Sequence, residues 1–162
     1  MTIDGHTLSK RETCNYTKRK ATFNEIASST EQFLFSNFRG AVSIFTNELH
    51  HAYTLIAPEG FALLFKLLLA KIYGGSVLRI EFGSEKGEMH VYCEWDNVEL
   101  DEEFITRLCS IGRESGFAVT YAKIDGKYKI TISIKEDKRV LVSLYAVGTR
   151  EILTAFNLVF YT

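Results

Sequence analysis

Two hairpin-like runs, separated by one helix-like run, limit what this chain can become. Val77-Leu78-Arg79-Ile80-Glu81-Phe82 alternates, with Leu78, Ile80 and Phe82 on one face. Met89 to Trp95 does the same with Met89, Val91, Cys93 and Trp95. Strand side chains point alternately to opposite faces, so a period of two predicts a sheet packed on one side. Gly83-Ser84-Glu85-Lys86-Gly87 is the turn between the two runs. Phe117 to Lys123 and Tyr128 to Lys135, joined by Asp125-Gly126, make a second hairpin. Its Tyr128, Ile130, Ile132 and Ile134 alternate with Lys129, Thr131, Ser133 and Lys135, a packed face against a wet one. Between the hairpins, Asp101 is a helix N-cap, and Glu102 and Glu103 suit a helix start. Phe104, Ile105, Leu108 and Ile111 form that helix's inner face, and Ser115-Gly116 ends it.

Upstream, Ala57-Pro58-Glu59-Gly60 is a break, because proline disfavours helical geometry in the residue before it yet fits a first helical turn. The following helix puts Phe61, Leu64, Phe65, Leu68, Leu69 and Ile72 on one face and stops at Gly74-Gly75. Downstream, Val140 to Val147 reads as a strand, Gly148-Thr149-Arg150 as a connection, and Ala155 to Tyr161 as a further strand. The expected fold class is α+β, with helices on one face of a mixed, mostly antiparallel sheet. The 162 residues are 46% hydrophobic and 13% aromatic, enough for a single packed core.

Residues 22–57 predict a long helix in front of that domain (58–162). Phe35, Phe38, Val42, Phe45, Leu49, Ala52 and Ile56 are spaced alternately three and four apart, an a/d seam. The seam predicts a homodimer through this helix. The alternative is a core helix of one monomer. Residues 1–21 are polar, with Lys10, Arg11, Lys18, Arg19 and Lys20, and read as a frayed, solvated segment.

A net charge of -1 gives no global field to attract nucleic acid or an anionic membrane. Cys14, Cys93 and Cys109 lack metal-ligand spacing and read as reduced residues of a cytoplasmic protein. No secretory h-region is visible, and the apolar run Phe61 to Tyr73 carries Lys66 and Lys71 and is too short to span a bilayer.

The acidic stretch Asp96-Asn97-Val98-Glu99-Leu100-Asp101-Glu102-Glu103 follows the first hairpin and opens the helix. It resembles the Asp-Asn-Gly-x-Gly box of the GHKL ATPases, the family that includes sensor histidine kinases, with Val98 and Leu100 in place of both glycines. Residues 61–135 follow that family's element order without its lid. Lys66-Leu67-Leu68-Leu69-Ala70-Lys71 stands where the family carries Asn-Leu-x-x-Asn-Ala, so Lys66 and Ala70 replace the asparagines that contact magnesium and phosphate. Ser36-Asn37-Phe38-Arg39-Gly40-Ala41-Val42-Ser43-Ile44 resembles the phosphoacceptor helix, with Ser36 at the histidine. The resemblance implies a two-layer sandwich in which Asp96 and Asn97 would meet adenine and Lys66 a phosphate. Ile124-Asp125-Gly126-Lys127 lies where the last glycine box would turn and reads equally as an ordinary hairpin.

With the asparagines, glycines, lid and histidine gone, the resemblance implies a non-catalytic regulatory or scaffold protein. It would act through protein-protein contacts with an unknown partner in bacterial-type signalling, with no cofactor, no metal and no catalytic residue. One alternative is a divergent ATPase or phosphotransferase using ATP and magnesium at Asp96 and Lys66, with His50 or His51 as acceptor. Another is a small-molecule sensor in the vacated pocket. His50-His51 on a helix would point about 100° apart and suit no shared metal. Glu94, Asp96, Glu99, Asp101, Glu102 and Glu103 read as a solvated acidic edge or a docking patch for a basic partner, and Asp96-Asn97 also suits plain turn chemistry.

Overall fold

The computed structural model describes residues 14–38, 41–72 and 77–138. Its elements run β1 (Arg19–Thr22), α1 (Phe23–Asn37), β2 (Ala41–Thr46), β3 (Tyr53–Ile56), α2 (Pro58–Ile72), β4 (Val77–Glu85), β5 (Glu88–Trp95), α3 (Glu102–Ser115), β6 (Ala118–Ile124) and β7 (Lys127–Lys135). One sheet has the order β2-β4-β5-β7-β6, and β1 pairs with β3 in a small second sheet. The β4-β5, β5-β7 and β6-β7 pairs are antiparallel, while β2 lies parallel to β4. A parallel pair needs a crossover, supplied here by β3 and α2.

The expected alternation holds in both hairpins. Ile80, Cys93 and Ile130 lie in one cross-strand row, and Phe82, Val91 and Ile132 in the next. These side chains are buried with Phe23, Ile26 and Leu34 of α1, Phe61, Phe65 and Leu68 of α2, and Phe104 and Leu108 of α3 in one cluster. Each fully buried side chain of this kind contributes about 1.5–3 kcal/mol. The helices thus cover one face of a mixed, mostly antiparallel sheet.

Both hairpins close through two residues of positive φ: Lys86 (52°) with Gly87 (75°), and Asp125 (53°) with Gly126 (77°). That geometry matches the strands' twist and favours Asn/Asp-Gly pairs. The first turn is tighter than Gly83–Gly87, since β4 continues through Glu85. Asp101 caps α3, its carboxylate accepting from the Phe104 amide at 2.8 Å. Gly116, at φ 96°, ends α3 in the left-handed region.

Residues 22–57 do not form the long helix. Phe35 lies on α1 and Phe38 caps it; Val42 and Phe45 are on β2; Leu49 and Ala52 are in the β2-β3 loop; Ile56 is on β3. Phe38, Leu49, Ala52 and Ile56 are buried in the core while Phe35 is 61% and Phe45 47% exposed, so the seven residues share no common face. The three-four spacing concealed a period of two. Val42 and Ile44 pack against the core, while Ala41, Ser43 and Phe45 are exposed on the other face. Pairing of Val42 with Leu78 and Ile44 with Ile80 settles the strand. The helix that does form opens with a capping box: the Thr22 hydroxyl accepts from the Glu25 amide at 3.1 Å, and the Glu25 carboxylate accepts from the Thr22 amide at 3.0 Å.

The segment that resembles a phosphoacceptor helix is likewise split between α1 and β2, with Arg39 and Gly40 outside the described residues. Of the N-terminal segment, residues 14–21 are described and are tied to the fold at two points: Ala21 of β1 is buried, and the Asn15 amide donates to Glu59 of α2 at 3.0 Å. Gly74-Gly75, Val140 to Val147 and Ala155 to Tyr161 lie outside the described residues. Among those described, no helix is long and apolar enough to cross a membrane.

Candidate functional site

The chain leaves β5 at Trp95 and reaches α3 through residues 96–101 alone. Three contacts fasten this link. The Trp95 indole N–H donates to the Val98 carbonyl at 2.6 Å, the Tyr121 hydroxyl accepts from the Leu100 amide at 3.2 Å, and Asp101 caps α3. Trp95 is buried, and its ring lies 6.3 Å from those of Tyr121 and Tyr128. Asp96 and Asn97 are exposed at the apex of the bend.

The acidic stretch does not converge. Glu94 pairs with Lys127 at 3.6 Å and Glu99 with Lys123 at 3.8 Å, both toward the β6-β7 hairpin, while Asp101 is held by its cap. Among the described residues no three His, Cys, Asp or Glu side chains gather as metal ligands. His50 and His51 are not on a helix but in the β2-β3 loop, exposed, with the His50 amide donating to Ser84 Oγ at 2.8 Å. His90 faces the wet side of the sheet beside Tyr92 and lies 3.2 Å from Glu88.

A cleft of about 580 Å³ opens between α2 and α3. Leu63, Phe104 and Ile111 give it an apolar wall, and Tyr16 reaches it from the N-terminal segment. Lys71 lies over the Phe104 ring, 5.1 Å from its centroid. Arg107 is the second cation, and Asp101, Glu103 and Glu114 supply acids. The residues carried over by resemblance are elsewhere: Asp96, Asn97 and Lys66 do not line this cleft. Lys66 is exposed on α2 near Cys14, whose thiol is raised by burial and by Glu59, with Lys66 opposing. Sequence reasoning missed the cleft, although residues 104, 107 and 111 follow the three-four spacing of one α3 face.

Gly60 of α2 packs against Ser115 of α3. A Cβ on Gly60 would fall 2.9 Å from Ser115 Cβ, closer than side chains pack, so glycine is required there. Ser115 is fully buried, and among the described residues its hydroxyl has no hydrogen-bond partner.

The cleft carries three carboxylates against two cations, Ala70 offers no ligand, and Asp96 stands in solvent outside the cleft.

No family model and no curated protein matches the sequence. Solved structures do match in fold. The ATP binding domain of PrrB from Mycobacterium tuberculosis gives a TM-score of 0.57 at 9% identity over 75% of this chain and 99% of that one. The cytoplasmic segment of histidine kinase QseC gives 0.52 at 13% identity over 84% and 91%. Histidine kinase ThkA, in complex with response regulator protein TrrA, gives 0.51 at 11% identity over 84% of this chain and 47% of that one. Identities this low establish the fold alone: the GHKL-like architecture of a histidine kinase ATP-binding domain.

Proposed function

We propose that a histidine kinase-like ATP-binding fold is used here without catalysis, as a regulatory or scaffold module acting through protein contacts. The supporting observation is the link 96–101. It joins β5 directly to α3 and is tied down by Trp95, Tyr121 and Asp101. The family that the sequence resembles carries its nucleotide lid beyond this point, whereas here a fastened link runs straight into α3 and leaves Asp96 exposed. The response regulator seen with ThkA makes a receiver-type protein the first partner class to try.

The test is thermal unfolding of the purified protein with ATP, ADP and magnesium. A ligand at 100 times its dissociation constant adds about 2.7 kcal/mol, several degrees in Tm. No shift is expected at millimolar nucleotide. A shift that vanishes in Asp96→Ala overturns the proposal and restores the ATPase or phosphotransferase reading.

The α2-α3 cleft favours a second reading, a small-molecule sensor, because Lys71 and Arg107 flank an aromatic wall. On that reading a small zwitterionic compound, matched to the mixed charges of the rim, raises Tm in the native protein and does not do so once Arg107 and Glu103 are both alanine.

A further inference from the structure

β2 stands at one margin of the sheet, and among the described residues nothing pairs with its outer edge. Its sequence, Ala41-Val42-Ser43-Ile44-Phe45-Thr46, has no charge, proline or glycine. Edges are normally guarded by such residues, because unpaired amides and carbonyls recruit another strand. The opposite margin, β6, carries Lys123. Val42 and Ile44 are only half-buried on the helix side, and Phe45 is 47% exposed on the other side beneath the Arg79 guanidinium, 4.7 Å away. Phe35, the most exposed large apolar side chain among the described residues, belongs to α1, which packs beside β2.

We propose that β2 is a self-association edge whose occupant is β2 of a second copy of this chain, paired antiparallel about a twofold axis. The strand is complementary to itself in one register. With Ser43 opposite its own counterpart, Phe45 faces Ala41 on the wet side and Ile44 faces Val42 on the helix side. Ile44 against Val42 is a pair of β-branched side chains, and Phe45 covers the small Ala41, so every facing pair from Ala41 to Phe45 other than the central serines is apolar. No like charges meet, because the strand has none. The two sheets join into one continuous sheet, and the half-buried Val42 and Ile44 become covered. One strand edge is a small interface, so the dimer is weak and concentration-dependent. This inference does not rest on the absence of nucleotide binding. It also relocates the expected dimer: Val42 and Phe45 take part as strand residues, not as a helical seam.

The experiment is sedimentation of the 162-residue chain across a concentration series, with two variants. Ser43 is exposed, so Ser43→Asp leaves the monomer's fold and Tm intact while opposing two carboxylates across the axis. It should weaken dimerisation roughly fivefold. Ser43→Cys, with Cys14 and Cys109 changed to serine, should give a disulfide-linked dimer on oxidation, because facing strand residues lie within disulfide reach. A protein that stays monomeric at every concentration overturns the proposal and leaves the edge to residues 139–162 or to another protein. So does a dimer that Ser43→Asp does not weaken or Ser43→Cys does not trap, which places the contact on another face.

Discussion

The contact between Gly60 of α2 and Ser115 of α3 leaves no room for a side chain at residue 60, so it supports a quantitative test. Adding a methyl at Gly60 brings Cβ to 2.9 Å from Ser115 Cβ and 3.2 Å from Tyr16 Cδ1. Overpacking of this kind costs about 1–3 kcal/mol. Ser115→Gly removes both the hydroxyl and the methylene, at a helix-propensity cost of about 0.5 kcal/mol. In that background the nearest obstacle left to Gly60→Ala is the Tyr16 ring, a side chain from the N-terminal segment. The double variant should therefore be more stable than the sum of the singles by about 2 kcal/mol. At about 2–4 °C per kcal/mol for a chain of this size, the coupling reads as roughly 4–8 °C in Tm. Thermal unfolding by circular dichroism of the wild type, both singles and the double closes the cycle. Strictly additive effects would refute the close approach of the helices.

Three further outcomes follow from the same geometry. Ser115→Ala should stabilise the protein by about 1 kcal/mol, because it deletes a buried hydroxyl that has no partner among the described residues; destabilisation on denaturant titration would mean that the hydroxyl is bonded. Asp101→Ala should cost about 1 kcal/mol by leaving the Phe104 amide uncapped, with faster amide exchange in the first turn of α3. Burial pushes the Cys93 thiol from 9.0 up to about 12, so alkylation at neutral pH should follow global unfolding, whereas half-exposed Cys14 and Cys109 react in the native protein. The native state binds that proton more tightly than the unfolded chain. The Cys93 contribution is therefore complete below pH 9.0 and lost as pH rises toward about 12, which a Cys93→Ser comparison would isolate.

The hairpins, α2 and α3 could be read from the sequence because their signals are local. The alternation of Leu78, Ile80 and Phe82 needs no partner to be recognised, nor does the cap at Asp101. Residues 41–56 could not be read in this way. Phe35 to Ile56 imitates a heptad by chance, and what makes Val42 and Ile44 a strand is a parallel partner, β4, more than thirty residues away. Two local clues were present: the Thr22 to Glu25 box, which opens a helix, and Gly40, which follows its end. The cleft was harder to see, since Tyr16, Leu63 and Arg107 meet only once α2 and α3 have packed.

The fastened link between β5 and α3 also makes the molecule its own instrument. The chain has a single tryptophan, and it is the residue whose indole closes that link. Any event that loosens residues 96–101 must break the bond from the ring nitrogen to the Val98 carbonyl and disturb the neighbouring tyrosines. Emission from this one fluorophore therefore reports on the bend directly, without a label.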